Sequence, residues 1–549
     1  MPGVHLVSGQ DVAEGWGLRT VPEELAAAYR AAGHWQGRSL GQVVADGLGE
    51  GGSAAFHVHS RLRPWSGTFA QIDRAARAFA TSLQARGVGP GDVVVVQLPN
   101  WSEAGVAFWG AIYLGAVVVP VVHFYCPREV DHIVRVTRPS AVVTPRSFGH
   151  VDHLATYREV LADTPVPNWV VVGDEPSSAL PSGAVPFTDL LDADPLSEPV
   201  SVDPSAPALI GFTSGTTQHP KGVVHSHDTL GFEARQLDWM FPVGGPDTIT
   251  GAPVGHFIGM LNALIIPVLR RSPVNLLDVW DPAHVLSLMS ERGLGMAGGS
   301  TYFLTSLLDH PDFTEEHLRL MPFAGLGGSP VPEAVTERAR DLGIAAFRSY
   351  GSTEHPSVTG CRVDEDEDKR LRTDGHALPG VEVRLDADGQ VLSRGPDLFI
   401  GYTDPELTAR AVDADGWYHS GDIGVMDEDG FLSITDRVSD VIIRGGENIS
   451  AREVEELVAT LDGVSEVSVV AAPDDRMGER AAAILLLRPG HEAPSLEELR
   501  RHLDTAGLAR QKWPESIHVV DELPRTPSGK VQKFVLRDRL RAGALESAR

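Results

Sequence analysis

Thr213-Ser214-Gly215-Thr216-Thr217-Gln218-His219-Pro220-Lys221-Gly222 gathers hydroxyls, glycines and one ammonium directly after the apolar run Ala208–Phe212. Glycines let a backbone turn tightly and aim N–H groups at an anion, and the hydroxyls with Lys221 add donors. Such a loop suits a polyphosphate. It is not the common P-loop, which needs Lys followed by Ser or Thr, because here Lys221 is followed by Gly222 and Val223-Val224. The plainer alternative is a hydroxyl-rich surface loop, and the closing Pro220-Lys221-Gly222 weighs against it.

Three further stretches carry candidate chemistry. Tyr350-Gly351-Ser352-Thr353-Glu354 follows the apolar run that begins at Ala345. Its aromatic could stack a base, its glycine and hydroxyls approach a phosphate, and its carboxylate hold Mg²⁺; a polar turn with a buried tyrosine is the alternative. Trp417-Tyr418-His419-Ser420-Gly421-Asp422 places one carboxylate after what reads as a tight glycine turn, suited to a ribose diol or to capping the turn. Pro524-Arg525-Thr526-Pro527-Ser528-Gly529-Lys530 reads as an exposed loop presenting Lys530, by default a solvated lysine. His256, set among glycines in 251–259, is by itself more often a core residue than a catalyst.

These stretches occur in the order of, and resemble, the motifs of the adenylate-forming (acyl-CoA synthetase, AMP-binding) superfamily, over roughly residues 55–540. The resemblance is to its stand-alone carboxylic acid:CoA ligases. It implies ATP, Mg²⁺ and CoA, with Lys530, Glu354 and His256 as catalytic residues and Thr213 and Glu354 on the metal. It implies nucleotide contacts from Thr213, Ser214, Gly215, Thr216, Thr217 and Lys221, and from Gly328, Ser329, Tyr350, Gly351, Ser352, Thr353, Asp422 and Arg437. Arg444, Gly445 and Gly446 fall where the family brings CoA to the site. An acyl pocket is implied near His256, Phe257, Gly298, Gly299, Ser300 and Gly328, its small residues suiting a fatty, branched or alicyclic acid. Two positions depart from the pattern: Gln218 replaces the usual Gly or Ser, and Ser439 stands at the hinge where Asp or Lys is usual. An acyl-AMP ligase loading a carrier protein is the alternative; free CoA is favoured because no carrier domain follows residue 549 and the 444–448 turn looks like that of stand-alone ligases.

What must position these residues is a chain that alternates helix and strand. Phe69, Ile72, Ala76, Phe79, Ala80 and Leu83 recur at helical spacing before the strand Val93–Leu98, and the alternation continues through a helix near Glu129–Val136 and a strand Ala141–Thr144. The fold class expected is α/β: a large N-terminal domain of two α/β subdomains plus a small β-subdomain (363–436), then a small mobile α+β C-terminal domain. The expected limits are an N-terminal extension at 1–55, an AMP-binding domain at 56–436 and the mobile domain at 437–549. Residues 173–207, rich in Pro, Ser, Asp and Gly, read as a surface connection.

A formal charge of −28 argues against nucleic acid or an anionic membrane as a partner. Cys126 and Cys361 alone build neither a disulfide framework nor a zinc site, which fits a reducing, cytoplasmic setting. No secretory signal opens the chain, and Val106–Tyr125 reads as a buried helix running into a buried strand, not a membrane span. A homodimer is left open; the small-molecule partners expected are the acid, ATP and CoA.

Overall fold

The computed structural model describes residues 15–174, 177–213, 220–241, 244–329, 331–438, 440–444, 447–474, 476–525 and 531–545. Their contacts divide into two compact units, one containing residues up to 382 and again 393–418, the other containing 383–392 and 419 onwards.

The first unit is built on an eight-stranded sheet in the order Gly401–Tyr402, Lys221–Ser226, Pro207–Thr213, Val117–Pro120, Val93–Val96, Ala141–Pro145, Asn168–Val172, Ala184–Pro186. From Pro207–Thr213 to Ala184–Pro186 the neighbours run parallel. The central strands are wholly buried valine runs, as expected where helices cover both faces. Helix Phe69–Ala85 starts at Thr68, whose side chain and that of Gln71 cap each other's backbone N–H groups, and it buries the six apolar residues that the spacing marks. Helix Ser102–Tyr113 is buried at every residue but Glu103, then gives way to Val117–Pro120. No described helix is long and apolar enough to cross a membrane. Helix Leu40–Glu50 buries Leu40, Val43, Val44 and Leu48 and packs on both.

Two expectations are corrected in this unit. The segment 173–207 is not only a connection: Ala184–Pro186 pairs with Trp169–Val171 at the sheet edge, and Phe187 and Leu190 are buried. Three residues are too few to show a period. The region 363–436 is likewise not one β-subdomain, since Gly401–Tyr402 returns to pair with Val223 and Val224 and is followed by helix Pro405–Ala411.

A second sheet of the same unit sets Gly298–Gly299, Phe323–Leu326 and Ala345–Tyr350 parallel, continued antiparallel by Thr359–Gly360 and His376–Ala377. Its apolar layer, with Val285, Met289, Leu304, Leu307, Leu326 and Ala346, is distinct from that of the valine sheet.

In the second unit, Gln390–Arg394, Tyr418–Met426 and Leu432–Arg437 follow Glu382–Leu385 in one four-stranded sheet. A further sheet carries the long hairpin Val464–Asp474 and Gly478–Leu487, with helices Ala451–Val458 and Leu496–Thr505 contributing to its core. Helix Lys533–Arg541 is tied in by an ion pair: Lys533 Nζ lies 2.9 Å from Glu455 Oε1, the side chains 17% and 20% exposed. The same oxygen accepts the Val469 N–H at 2.6 Å. Burial pushes the Glu455 carboxyl up, and the Lys533 ammonium opposes that shift. Removing one partner of such a pair strands the other charge, so Lys533→Met is expected to cost about 2–3 kcal/mol. The check is hydrogen exchange at the amides of Ala482–Leu485, which should lose protection, with Lys533→Arg restoring it.

Candidate active site

The expected site residues of the first unit lie at the carboxyl ends of strands. Thr213 ends Pro207–Thr213 and faces Lys221 across the hairpin. Gly299, Gly327-Gly328-Ser329 and Tyr350 end or directly follow the three parallel strands of the second sheet. That is where open α/β sheets present their ligand crevice.

Close contacts join the two sheets there. A Cβ built on Gly211 would meet Thr353 Cγ2 at 2.9 Å and Phe257 Cδ2 at 3.4 Å, so the polyphosphate-loop strand, the 350–354 turn and the start of helix Phe257–Met260 touch. His256 caps that helix, and its backbone N–H donates to Pro253 O. The His225 ring lies 4.9 Å from that of Phe257, and its Nε2–H donates to Thr353 O at 2.7 Å. Burial lowers the His225 pKa to about 4, so near neutral pH it is an uncharged imidazole.

The 350–357 turn is tied at several points. Gly351 is required by its closure, since a Cβ there would stand 1.8 Å from Pro356 O. Ser352 N–H donates to His355 O, and Phe399 N–H to Glu354 O. Glu354 is 8% exposed, and its Oε1 accepts the Tyr402 hydroxyl at 2.7 Å. Burial, then the Glu354 charge, push the Tyr402 pKa upward, so the phenol stays a donor. Lys221 Nζ sits 5.6 Å from the Tyr402 ring centroid. A carboxylate, a phenol and an ammonium thus stand in sequence at the mouth of the hairpin loop. Gly298 is likewise obligatory, with φ +130° and a Cβ position only 2.0 Å from Gly325 O; it leads through Gly299 to Ser300, the cap residue of helix Thr301–Leu308.

In the second unit Arg437 Nε lies 2.8 Å from Asp422 Oδ1, and Arg444 Nε donates to Glu515 Oε1 at 2.7 Å. Asp422 does not follow a tight turn as the sequence suggested. It lies inside strand Tyr418–Met426, after Gly421 at φ +73°, which bends the strand without ending it.

Residues 57–403 match the family model described as AMP-binding enzyme, and 453–530 match AMP-binding enzyme C-terminal domain. The chain belongs to the AMP-binding enzyme family. A medium-chain fatty-acid–CoA ligase of Escherichia coli (strain K12) is 33% identical over 533 residues, 94% of this chain and 93% of that one. A methyl-dioxo-octahydroindenyl-propanoyl:CoA ligase of Rhodococcus jostii (strain RHA1) is 35% identical over 482 residues, 86% of this chain and 93% of that one. Among solved structures, ATP-bound MatB from Rhodopseudomonas palustris superposes with a TM-score of 0.81 at 27% identity, covering 91% of this chain and 98% of that one. This AMP-binding enzyme is an AMP-forming acid–thiol ligase, and ATP, Mg²⁺ and CoA are the cosubstrates and metal of its chemistry.

Several expected residues of this AMP-binding enzyme lie outside the described ones: Ser214, Gly215, Thr216, Thr217, Gln218, Ser439, Gly445, Gly446 and Lys530. The donor set at 354 fits Mg²⁺. Among the described residues no cluster of three or more His, Cys, Asp or Glu could hold a metal unaided. A single carboxylate beside a polyphosphate loop is what a hard cation carried in by phosphate oxygens needs. Sequence reasoning missed His225 and Tyr402, which touch the 353–354 turn from distant parts of the chain. The only signal for Tyr402 is a Gly-Tyr pair, and for His225 the first histidine of the His225-Ser226-His227 triplet after the apolar Val223-Val224.

Proposed function

We propose that this ligase activates a fatty or alicyclic carboxylic acid as its acyl adenylate and passes the acyl group to CoA. The observation carrying the reading is the convergence of Thr213, Lys221, Glu354 and Tyr402 at the ends of neighbouring strands. The acid class is supported by the two ligases named above and by apolar side chains left open near the glycine-walled strand ends, Ile258 at 43% and Tyr302 at 60% exposure.

A carboxylate is a poor acyl donor because its leaving group would be oxide. Its oxygen attacks the α-phosphorus of ATP, the bond to the bridging oxygen of pyrophosphate breaks, and the acyl–phosphate anhydride formed has AMP as a good leaving group. Residues 213–217 and Lys221 hold the β- and γ-phosphates. Gly328, Ser329, Gly351, Ser352 and Thr353 line the nucleotide's approach, Tyr350 stacks on the adenine, and Asp422, steadied by Arg437, takes the ribose diol. Glu354 and Thr213 would hold Mg²⁺, which would supply positive charge against the phosphate oxygens. Lys530 places an ammonium against the same charge as the acid attacks. His256 stands between acyl pocket and nucleotide. After pyrophosphate leaves, residues 437–549 rotate about Ser439, Lys530 withdraws, and Arg444-Gly445-Gly446 admit the pantetheine arm. The thiolate then attacks the acyl carbon and AMP departs. The domain limits 1–55, 56–436 and 437–549 and a cytoplasmic location belong to the same reading.

The test is release of AMP and pyrophosphate from ATP and Mg²⁺ across straight-chain, branched and bicyclic acids, with and without CoA. Turnover is expected with apolar acids and only with CoA present. Pyrophosphate exchange with no gain of AMP release on adding CoA would instead mean another acceptor.

A further inference from the structure

Packed against the 350–357 turn lies a group of ionisable side chains that the mechanism does not use. Glu233, on helix His227–Met240, is 1% exposed; Asp397 and His355 are fully buried. His355 Nε2 lies 3.3 Å from Asp397 Oδ1, and His355 Nδ1 makes a 2.7 Å hydrogen bond with Ser393 Oγ. Ser357 Oγ donates to Glu233 Oε1 at 2.8 Å. Glu233 Oε2 and both Asp397 oxygens have no further regular hydrogen-bond partner. Two buried carboxyls facing each other cannot both be ionised without a large repulsion, and one proton between them removes it. Burial first, then the Asp397 charge, drives the Glu233 carboxyl well above the usual range. No cation needs to be invoked, since these groups do not form a metal-holding cluster.

We propose that Glu233 is a positioning residue of the adenylation step: it accepts from Ser357 and, together with the buried Asp397–His355 pair, holds the turn that aims the Glu354 carboxylate. Ser357 and His355 are the turn's far limb, Ser352 N–H donates to His355 O, and His355 N–H returns to Ser352 Oγ at 3.2 Å, bracketing Thr353 and Glu354. Asp397 lies two residues before Phe399, whose N–H donates to Glu354 O. Glu354 is therefore held at its carboxylate by Tyr402 and at its backbone by a turn tied to the buried Glu233, Asp397 and His355. The inference rests on the proposed role of Glu354 as metal ligand.

The experiment measures acid-dependent pyrophosphate exchange against Mg²⁺ concentration in the full chain, together with the thermal shift that Mg²⁺ produces in the presence of ATP. Groups that orient a metal's ligand are worth about 10–100-fold in metal affinity. Glu233→Leu is expected to raise the Mg²⁺ half-saturation by at least about tenfold, with rate recovered at high Mg²⁺, and to weaken the thermal shift in parallel. Glu233→Gln keeps the acceptor and should stay within about threefold of the parent. Should Glu233→Leu not fold, Ser357→Ala cuts the same link with a smaller side-chain change and should raise the half-saturation by about threefold. Unchanged Mg²⁺ dependence in Ser357→Ala and in any folded Glu233→Leu overturns the proposal, as does a Glu233→Gln protein as impaired as Glu233→Leu, because accepting from Ser357 would then not be what Glu233 contributes. A parent enzyme without acid-dependent exchange would overturn the functional reading instead, and is distinguishable because no variant is needed to see it.

Discussion

Lys530→Ala is expected to lose about 10²–10³-fold of acid-dependent pyrophosphate exchange. The same protein, supplied with preformed acyl adenylate and CoA, should still form thioester within a few-fold of the parent rate. The asymmetry follows from what the ammonium does. In the proposed step it meets negative charge spreading over phosphoryl oxygens as the acid attacks, and that charge is absent when a thiolate displaces AMP. Equal loss in both half-reactions would show that the substitution damages the 437–549 segment generally and would remove Lys530 from the proposed step. Lys533 is the internal control: Lys533→Met, which strands Glu455, should lower protection in its own sheet and shift both half-reactions together.

Glu354→Gln is the second large effect. The substitution keeps an oxygen to accept the Tyr402 hydroxyl and keeps the buried shape, so thermal stability should change little. What disappears is the charge, and with it about 10²-fold in exchange rate at limiting Mg²⁺, partly regained as Mg²⁺ is raised. Tyr402→Phe, which removes only the donor, should act in the same direction and less strongly. A Glu354→Gln enzyme with unaltered Mg²⁺ dependence would mean that the metal is held by other groups.

Much of the fold is legible because the chain states it in long, regular patterns. The helix Phe69–Ala85 shows its buried face in six residues at helical spacing, and the valine runs at 93–96 and 117–119 can only be strands covered on both sides. The pieces that escape are short. Ala184–Pro186 and Gly401–Tyr402 are strands because neighbours offer them hydrogen-bonding edges, and nothing in three or two residues announces that. The site divides the same way. Tyr350–Glu354 is visible as a motif because its residues are consecutive. Its supports are not, for His225, Glu233, Asp397 and Tyr402 reach it from about 120 residues before and nearly 50 after, and only folding makes them neighbours. Asp422 stands out in the sequence as a candidate while its conformation does not, since Gly421 looks the same in a turn and in a bent strand.

The division of the chain has a mechanical consequence. The backbone passes from the first unit to the second at 382–383, returns at 392–393, and crosses again at 418–419. A body attached by three strands of polypeptide cannot swivel on one bond, because each added attachment removes rotational freedom that the others would need. The sheet of 383–392 and 419–437 is therefore moored. After Leu432–Arg437 the numbering never returns to the first unit among the described residues, so everything beyond hangs on one covalent thread. In the proposed cycle, which presents first a lysine and later a glycine turn to one place, that thread is where an axle can be fitted, and cross-linking across it should arrest the exchange of partners while leaving either half of the cycle intact.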